Sequence, residues 1–220
     1  MLELKKFYEQ IKKKEPSEIT LKHYNDRLRI AGSLAKEGLT LDVGCRYGDL
    51  RRYVASEYIG FDISSKHFRG NFDKVVGDAC HLPFRNGTFH NVCCLELLEH
   101  LIFPAKCLQE TRRVLKKDGC LIVTTPNIVC LLNRLKVLFG ISPSYFGADS
   151  GHLHCFTFDT LKKALEDEGF RIVERKPTHM YIPPRRITNK LLGKYRYNLK
   201  LARIFPNLND NLLVKAVKEE

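Results

Sequence analysis

The stretch Leu41-Asp42-Val43-Gly44-Cys45-Arg46-Tyr47-Gly48-Asp49 decides the fold. A short apolar run enters a glycine turn, and a helical pattern follows at about 48–56. Glycines at such a turn let the backbone approach a ligand. A helix N-terminus beyond it offers free N–H groups to a carboxylate or phosphate. The dinucleotide fingerprint G-x-G-x-x-G is absent, because Arg46 stands two residues after Gly44. That spacing argues against a nicotinamide oxidoreductase.

Working outward, the same alternation repeats. Strands are expected at Leu39–Val43, Tyr58–Phe61, Lys74–Val76, Asn91–Leu95, Cys120–Thr124, Arg171–Glu174 and Asn211–Val217. Helices fit at about 66–70, 97–101, 104–116, 128–139 and 157–168. Strands alternating with helices mean βαβ units in a mostly parallel sheet, with right-handed crossovers placing helices on both faces. Before the first strand, residues 1–15 read as an amphipathic helix. A second helix is expected from an N-cap at Ser17 to about Lys36, stopped by Gly38. The expected organisation is one domain over 1–220. Residues 1–36 form a helical cap, and 140–156 and 176–210 form substrate-side loops or a cap. In the helix at 128–139, Leu131, Leu132, Leu135, Leu138 and Phe139 recur at helical spacing, and the stripe is expected to face the core.

Three acids punctuate the alternation in order. Asp42 lies on the first strand, Asp62 ends Tyr58-Ile59-Gly60-Phe61-Asp62-Ile63, and Asp78 follows Val75-Val76-Gly77 and precedes Ala79. Any one alone reads equally well as a turn or capping residue. Together, at the carboxyl ends of successive strands, they describe a nucleoside site at the switch point of an open sheet.

The segments LDVGCRYG, YIGFDIS, VVGDACHLPF, FHNVCCLELLEHL and VLKKDGCLIVTTPN resemble the successive motifs of class I S-adenosylmethionine-dependent methyltransferases. The resemblance covers about residues 39–175, and reaches the end if NLLVKAVK is the last strand. It implies a Rossmann-like, doubly wound, seven-stranded α/β sheet with the last strand antiparallel, and S-adenosyl-L-methionine as cofactor. It places Asp42 and Gly44 near the methionyl part, with Cys45, Arg46 and Gly48 completing the loop. It places Asp62 on the ribose beside Ile63, Asp78 and Ala79 at the adenine, and Leu95 and Glu96 under the cofactor. Arg46 departs from the family's G-x-G-x-G; it either points outward, pairs with the cofactor carboxylate or fills the pocket.

Glu96-Leu97-Leu98-Glu99-His100 carries further chemistry. On a helix, Glu96, Glu99 and His100 would share a face. Similar E-x-x-E-H segments hold a divalent metal in quinone-pathway O-methyltransferases and in small-RNA 2′-O-methyltransferases. The latter add a histidine from an H-x-H-x-F segment. Here Gly151-His152-Leu153-His154-Cys155-Phe156 offers His154 on that resemblance. Glu96, Glu99, His100 and His154 would then hold Mg²⁺ or Mn²⁺. Two other readings stand beside it: local caps and hydrogen bonds only, or His100 or His154 as a metal-free general base.

Thirty-seven basic against twenty-five acidic residues give a formal charge of +12. Such charge suits an anionic small-molecule acceptor, and less directly nucleic acid. No apolar run is long enough to span a membrane, and the N-terminus has no apolar signal core. None of the eight cysteines forms a CxxC pair, so buried reduced thiols in a cytoplasmic protein are expected. The activity expected is methyl transfer to a small molecule, at oxygen. The alternatives are a metal-assisted RNA or other macromolecule methyltransferase, or a non-catalytic nucleotide-binding protein.

Overall fold

The computed structural model describes residues 18–55, 57–145, 151–181 and 199–219. The expected helix at 1–15 and the Ser17 cap lie outside them. Seven strands form one sheet: β1 Thr40–Val43, β2 Tyr58–Asp62, β3 Asp73–Val76, β4 Phe89–Leu95, β5 Leu115–Pro126, β6 Phe170–Arg175 and β7 Asn211–Lys218. Their order is β3-β2-β1-β4-β5-β7-β6. The pairs among β1 to β5 are parallel, and β7 runs antiparallel between β5 and β6. The helices are α1 Glu18–Gly32, α2 Pro104–Val114, α3 Leu131–Leu138, α4 Phe158–Asp167 and α5 Leu199–Ile204.

The central strands are buried on both faces, which is why they read as continuous apolar runs rather than alternating ones. Successive residues still part to opposite sides. Val92 and Cys94 of β4, Leu121 and Val123 of β5, and Val214 of β7 pack with α2 and α4. Cys93, Cys120, Ile122 and Leu213 pack on the other face with Leu28 and Ala31 of α1. Adjacent Cys93 and Cys94 therefore belong to different cores. All eight cysteines are free, and seven are buried.

Three expected helices are only short 3₁₀ turns, at Asp49–Tyr53, Ser65–His67 and Leu98–His100. Helix α1 ends at Gly32, earlier than expected. Beyond it the Ser33 hydroxyl donates to Ile30 O, and Lys36 N donates to the Asn91 side chain. The apolar stripe of α3 is a larger correction. Among its residues only Asn133 is buried, while Val137, Leu138 and neighbouring Phe139 are 58%, 74% and 74% exposed. The helix stands above the carboxyl edge of the sheet, held by polar bonds from Asn133 to Ile128 O and from Ser144 N to Asn133. Periodicity reported its amphipathicity correctly, but not what covers it.

Asn91 fastens the α1 region to the sheet. It is fully buried, accepts from Lys36 N at 2.8 Å, and donates to Lys36 O and the Thr40 hydroxyl at 2.9 and 3.0 Å. Asn91→Ala strands both backbone groups of Lys36. We expect a loss of about 3 kcal/mol, read by thermal melting as a fall of about 6–12 °C.

Candidate active site

The carboxyl ends of β1 to β5 open into a cavity of about 640 Å³, within the range of small-molecule sites. Asp42, Gly44, Cys45, Arg46, Asp62, Ile63, Asp78, Ala79, Leu95 and Glu96 all line it. Gly48 does not; it caps the 3₁₀ turn behind the loop in a left-handed conformation, φ 73°. Gly44 is also left-handed, φ 76°, and a Cβ there would lie 2.9 Å from the Leu97 side chain. The turn therefore requires glycine at that position.

Asp62 organises the loop. Its carboxylate accepts from Arg46 N at 2.9 Å and from Ser64 N at 3.1 Å. Arg46 is left-handed, φ 48°, which turns its amide toward Asp62. Its guanidinium lies over the Tyr47 ring at 4.5 Å, and Arg69 stacks on the same ring at 4.3 Å. Asp78 accepts from Cys80 N at 2.8 Å. Deeper in, Asp42 is buried and accepts from the Tyr58 hydroxyl at 2.6 Å. Burial raises its pKa to about 7, the Tyr58 hydrogen bond opposes this, and the carboxylates of Asp62 and Asp49 add to it.

Glu96 differs from the helical expectation. It is left-handed, φ 53°, and precedes the Leu98–His100 turn instead of sharing a helix face with Glu99. Its carboxylate meets the Arg27 guanidinium at 3.0 Å, the Thr124 hydroxyl at 3.0 Å and both contacts of Asn211 Nδ2 at 3.2 and 3.1 Å. Glu99 is 1% exposed; one oxygen accepts from Thr125 at 3.1 Å, and Oε1 has no hydrogen-bond partner among the described residues. Burial first, then neighbouring Glu96, raises its pKa to about 8.

The histidines divide unexpectedly. His100 Nδ1 lies 2.8 Å from Gly151 O, so that nitrogen carries the proton and Nε2 is the basic one. The His152 ring packs edge-on to His100 at 4.6 Å and stacks under Tyr145 at 5.3 Å. His154 N donates to Glu99 O at 3.1 Å, but its ring packs by Phe156 and does not line the cavity. Ligand atoms of Glu99, His100 and His152 lie within 4.8 Å of one another. The predicted four-residue metal set is thus not assembled: Glu96 is committed elsewhere and His152 takes the place given to His154. An imidazole-rich set also fits Mg²⁺ poorly, since that ion prefers oxygen ligands.

Sequence reasoning did not single out Tyr24, Arg27 or His152 as site residues, and reached Tyr145 only as part of the substrate-side segment 140–156; all four line the cavity. Tyr24 donates to Asp49 at 3.3 Å. Burial, followed by the carboxylates of Asp49 and Asp42, pushes its pKa up. Arg46, Glu96 and Tyr145 are the non-glycine residues of positive φ among the described ones, and all three line the cavity. Backbone strain gathers at this site.

Residues 21–175 match the family described as "Methyltransferase domain". An uncharacterized protein of Methanocaldococcus jannaschii, MJ0638, is 30% identical over 194 residues, covering 84% of this chain and 80% of its own. Chloroplastic tocopherol O-methyltransferase of Arabidopsis thaliana is 30% identical over 129 residues, 49% of this chain and 37% of its own. A solved S-adenosylmethionine-dependent methyltransferase of Thermotoga maritima shares the fold, with TM-score 0.66 and 18% identity over 90% of this chain and 92% of its own. The chain belongs to the class I S-adenosylmethionine-dependent methyltransferases.

Asp42 gives a pH test on the ligand-free protein. Its carboxyl is raised from the ordinary 3.8 to about 7 in the folded state, so folding retains a proton that the unfolded chain releases. That contribution is complete below about pH 4 and fades as pH rises to about 7. Urea unfolding of Asp42→Asn is expected to show a shallower decline of stability between pH 5 and 7 than the parent, by up to about 1.4 kcal/mol per pH unit.

Proposed function

We propose that the chain methylates a hydroxyl oxygen of a small, anionic acceptor, in a reducing, cytoplasmic setting. The observation that supports this reading is the division of one cavity by β1. Carboxylates fixed to backbone amides stand at the ends of β2 and β3, and Glu99, His100 and His152 gather beyond β4. The residues fit the cofactor. Asp62 and Asp78 retain acceptor lone pairs suited to ribose and adenine groups. The carboxylates at the ends of β2 and β3 suit a donor that carries a sulfonium cation. Arg27, Arg46 and Lys66 are the Lys and Arg side chains that line the cavity, among which a carboxylate could find its partner.

When bound, S-adenosylmethionine supplies a methyl group already activated by the sulfonium charge. The protein's own part is alignment, exclusion of water and removal of a proton. His100 Nε2 is the base for the acceptor hydroxyl, with Nδ1–H anchored on Gly151 O. Glu99 is held largely protonated near neutrality and is unsuited to that role; it stands behind the imidazoles as an acid. Tyr145 and His152 form a stacked wall that closes the acceptor side. Arg27, carried by α1 and paired with Glu96, keeps a buried Nε–H without a partner among the described residues, which an anionic acceptor could take up.

The test is isothermal titration calorimetry with S-adenosylmethionine and its demethylated product. Micromolar binding is expected, weakened at least about 100-fold in Asp62→Ala, as two charge-assisted hydrogen bonds imply. Failure of the parent protein to bind either nucleoside would overturn the reading.

The Glu99–His100–His152 cluster favours one further reading, a divalent ion with affinity for imidazole that lowers the acceptor's pKa. Titration with Mn²⁺ should then show binding that is lost in His152→Ala and kept in His154→Ala. The reverse pattern would put the ion on His154 instead, and no binding leaves the metal-free base.

A further inference from the structure

Exposed apolar surface is concentrated at one edge of this molecule. Of the large apolar side chains exposed among the described residues, all but Val76 and Val173, which belong to strands, lie in segments that leave or enter the sheet at its carboxyl edge. The densest group ends α3 and continues through the turn behind it. There Val137, Leu138, Phe139 and Ile141 are 58%, 74%, 74% and 56% exposed. Ile204 and Phe205, at the close of α5, are 66% and 50% exposed. Monomeric proteins seldom leave contiguous apolar groups in water without a use for them.

The turn is built to hold these side chains outward. Phe139 N donates to Leu135 O and Lys136 O, and Ile141 N donates to Lys136 O at 2.8 Å. Ser144 N donates to Asn133 Oδ1 at 2.7 Å, and Lys136 Nζ to Ser144 Oγ at 2.8 Å. Polar bonds thus fasten the inner side, and the apolar side is left for something else. Along this segment the charge has one sign. Residues 128–145 contain Arg134 and Lys136 and no acid, Arg203 precedes Ile204, and the whole chain carries +12. Four residues past Ile141, Tyr145 lines the cavity, so the apolar turn adjoins the mouth of the site.

We infer that this edge docks the enzyme on an anionic lipid bilayer. Val137, Leu138, Phe139 and Ile141 enter the headgroup layer, and the exposed Arg134 meets lipid phosphates. A short amphipathic helix end with apolar tips and basic neighbours is the form of an interfacial anchor. An anionic leaflet complements the net charge in a way that a second copy, itself at +12, does not. An acceptor with a lipid tail would then reach the cavity from the membrane. That corollary rests on the methyl-transfer reading, whereas docking itself does not.

The full chain should co-sediment with phosphatidylglycerol–phosphatidylcholine vesicles, and far less with phosphatidylcholine alone. The bound fraction should fall as salt rises. The double variant Leu138→Asp, Phe139→Asp should bind at least about tenfold more weakly. Its melting temperature and S-adenosylmethionine affinity should stay at parental values, which separates this proposal from the cofactor reading. Because the chain has no tryptophan, Phe139→Trp gives a clean reporter, with a blue-shifted emission expected on adding anionic vesicles. Absence of that shift would overturn the proposal, even if the basic chain sediments with vesicles. So would a vesicle-free dimer that the double aspartate variant dissolves, which would make a second copy the occupant.

Discussion

One carboxylate, that of Glu96, ties the site together. It receives Arg27 from α1, Thr124 from β5 and Asn211 from β7, while its own backbone closes β4. Four elements far apart in sequence therefore meet at one side chain. The residue adopts a left-handed conformation that a non-glycine side chain rarely takes. The surrounding bonds over-determine it, which is how such strain persists. Because Glu99 and His100 follow within four residues, the same constraint sets where their side chains emerge. Removing Glu96 would strand the Arg27 guanidinium as well as release the β4 end, so the pair acts as a unit.

The strands were legible because burial on both faces leaves short apolar runs punctuated by acids and glycines. The order Asp42, Asp62, Asp78 was legible for the same reason: each acid is fixed by the strand it follows, and backbone amides hold two of them. What failed to show depends on contacts distant in sequence. Arg27 looks like any cation on an amphipathic helix until α1 is laid over the end of β4. His152 and His154 are equivalent in an H-x-H segment, and the family resemblance favours the second. Only the tertiary turn decides, because Leu153 N and His154 N both donate to Glu99 O, which commits the His154 backbone and sends its ring away. The three 3₁₀ turns were read as helices because their few residues carry too little periodicity to separate the two. The stripe of α3 shows the complementary limit. Spacing reports which face is apolar and says nothing of whether protein, lipid or water meets it.

The site also separates two scales of charge. The chain as a whole is strongly basic, yet Asp42, Asp62, Asp78, Glu96 and Glu99 all line one cavity. Burial holds two of these acids partly neutral near physiological pH, so the cavity is less anionic than its residue count suggests. This matters for a reaction that joins a cationic donor to an anionic or nucleophilic acceptor. A fully charged set of acids would hold the donor and repel the acceptor. In the proposed reading, Asp62 and Asp78 stand at the cofactor side. Glu99, neutral beside two imidazoles, leaves the acceptor side open to Arg27. The sheet supports that division by its topology. The ends of β2 and β3 continue into short, backbone-fixed loops, whereas the longer segment that leaves β5 carries α3, Tyr145 and His152. On the proposed reading, acceptor choice resides in the segment after β5, where sequence variation leaves the loops at β2 and β3 undisturbed.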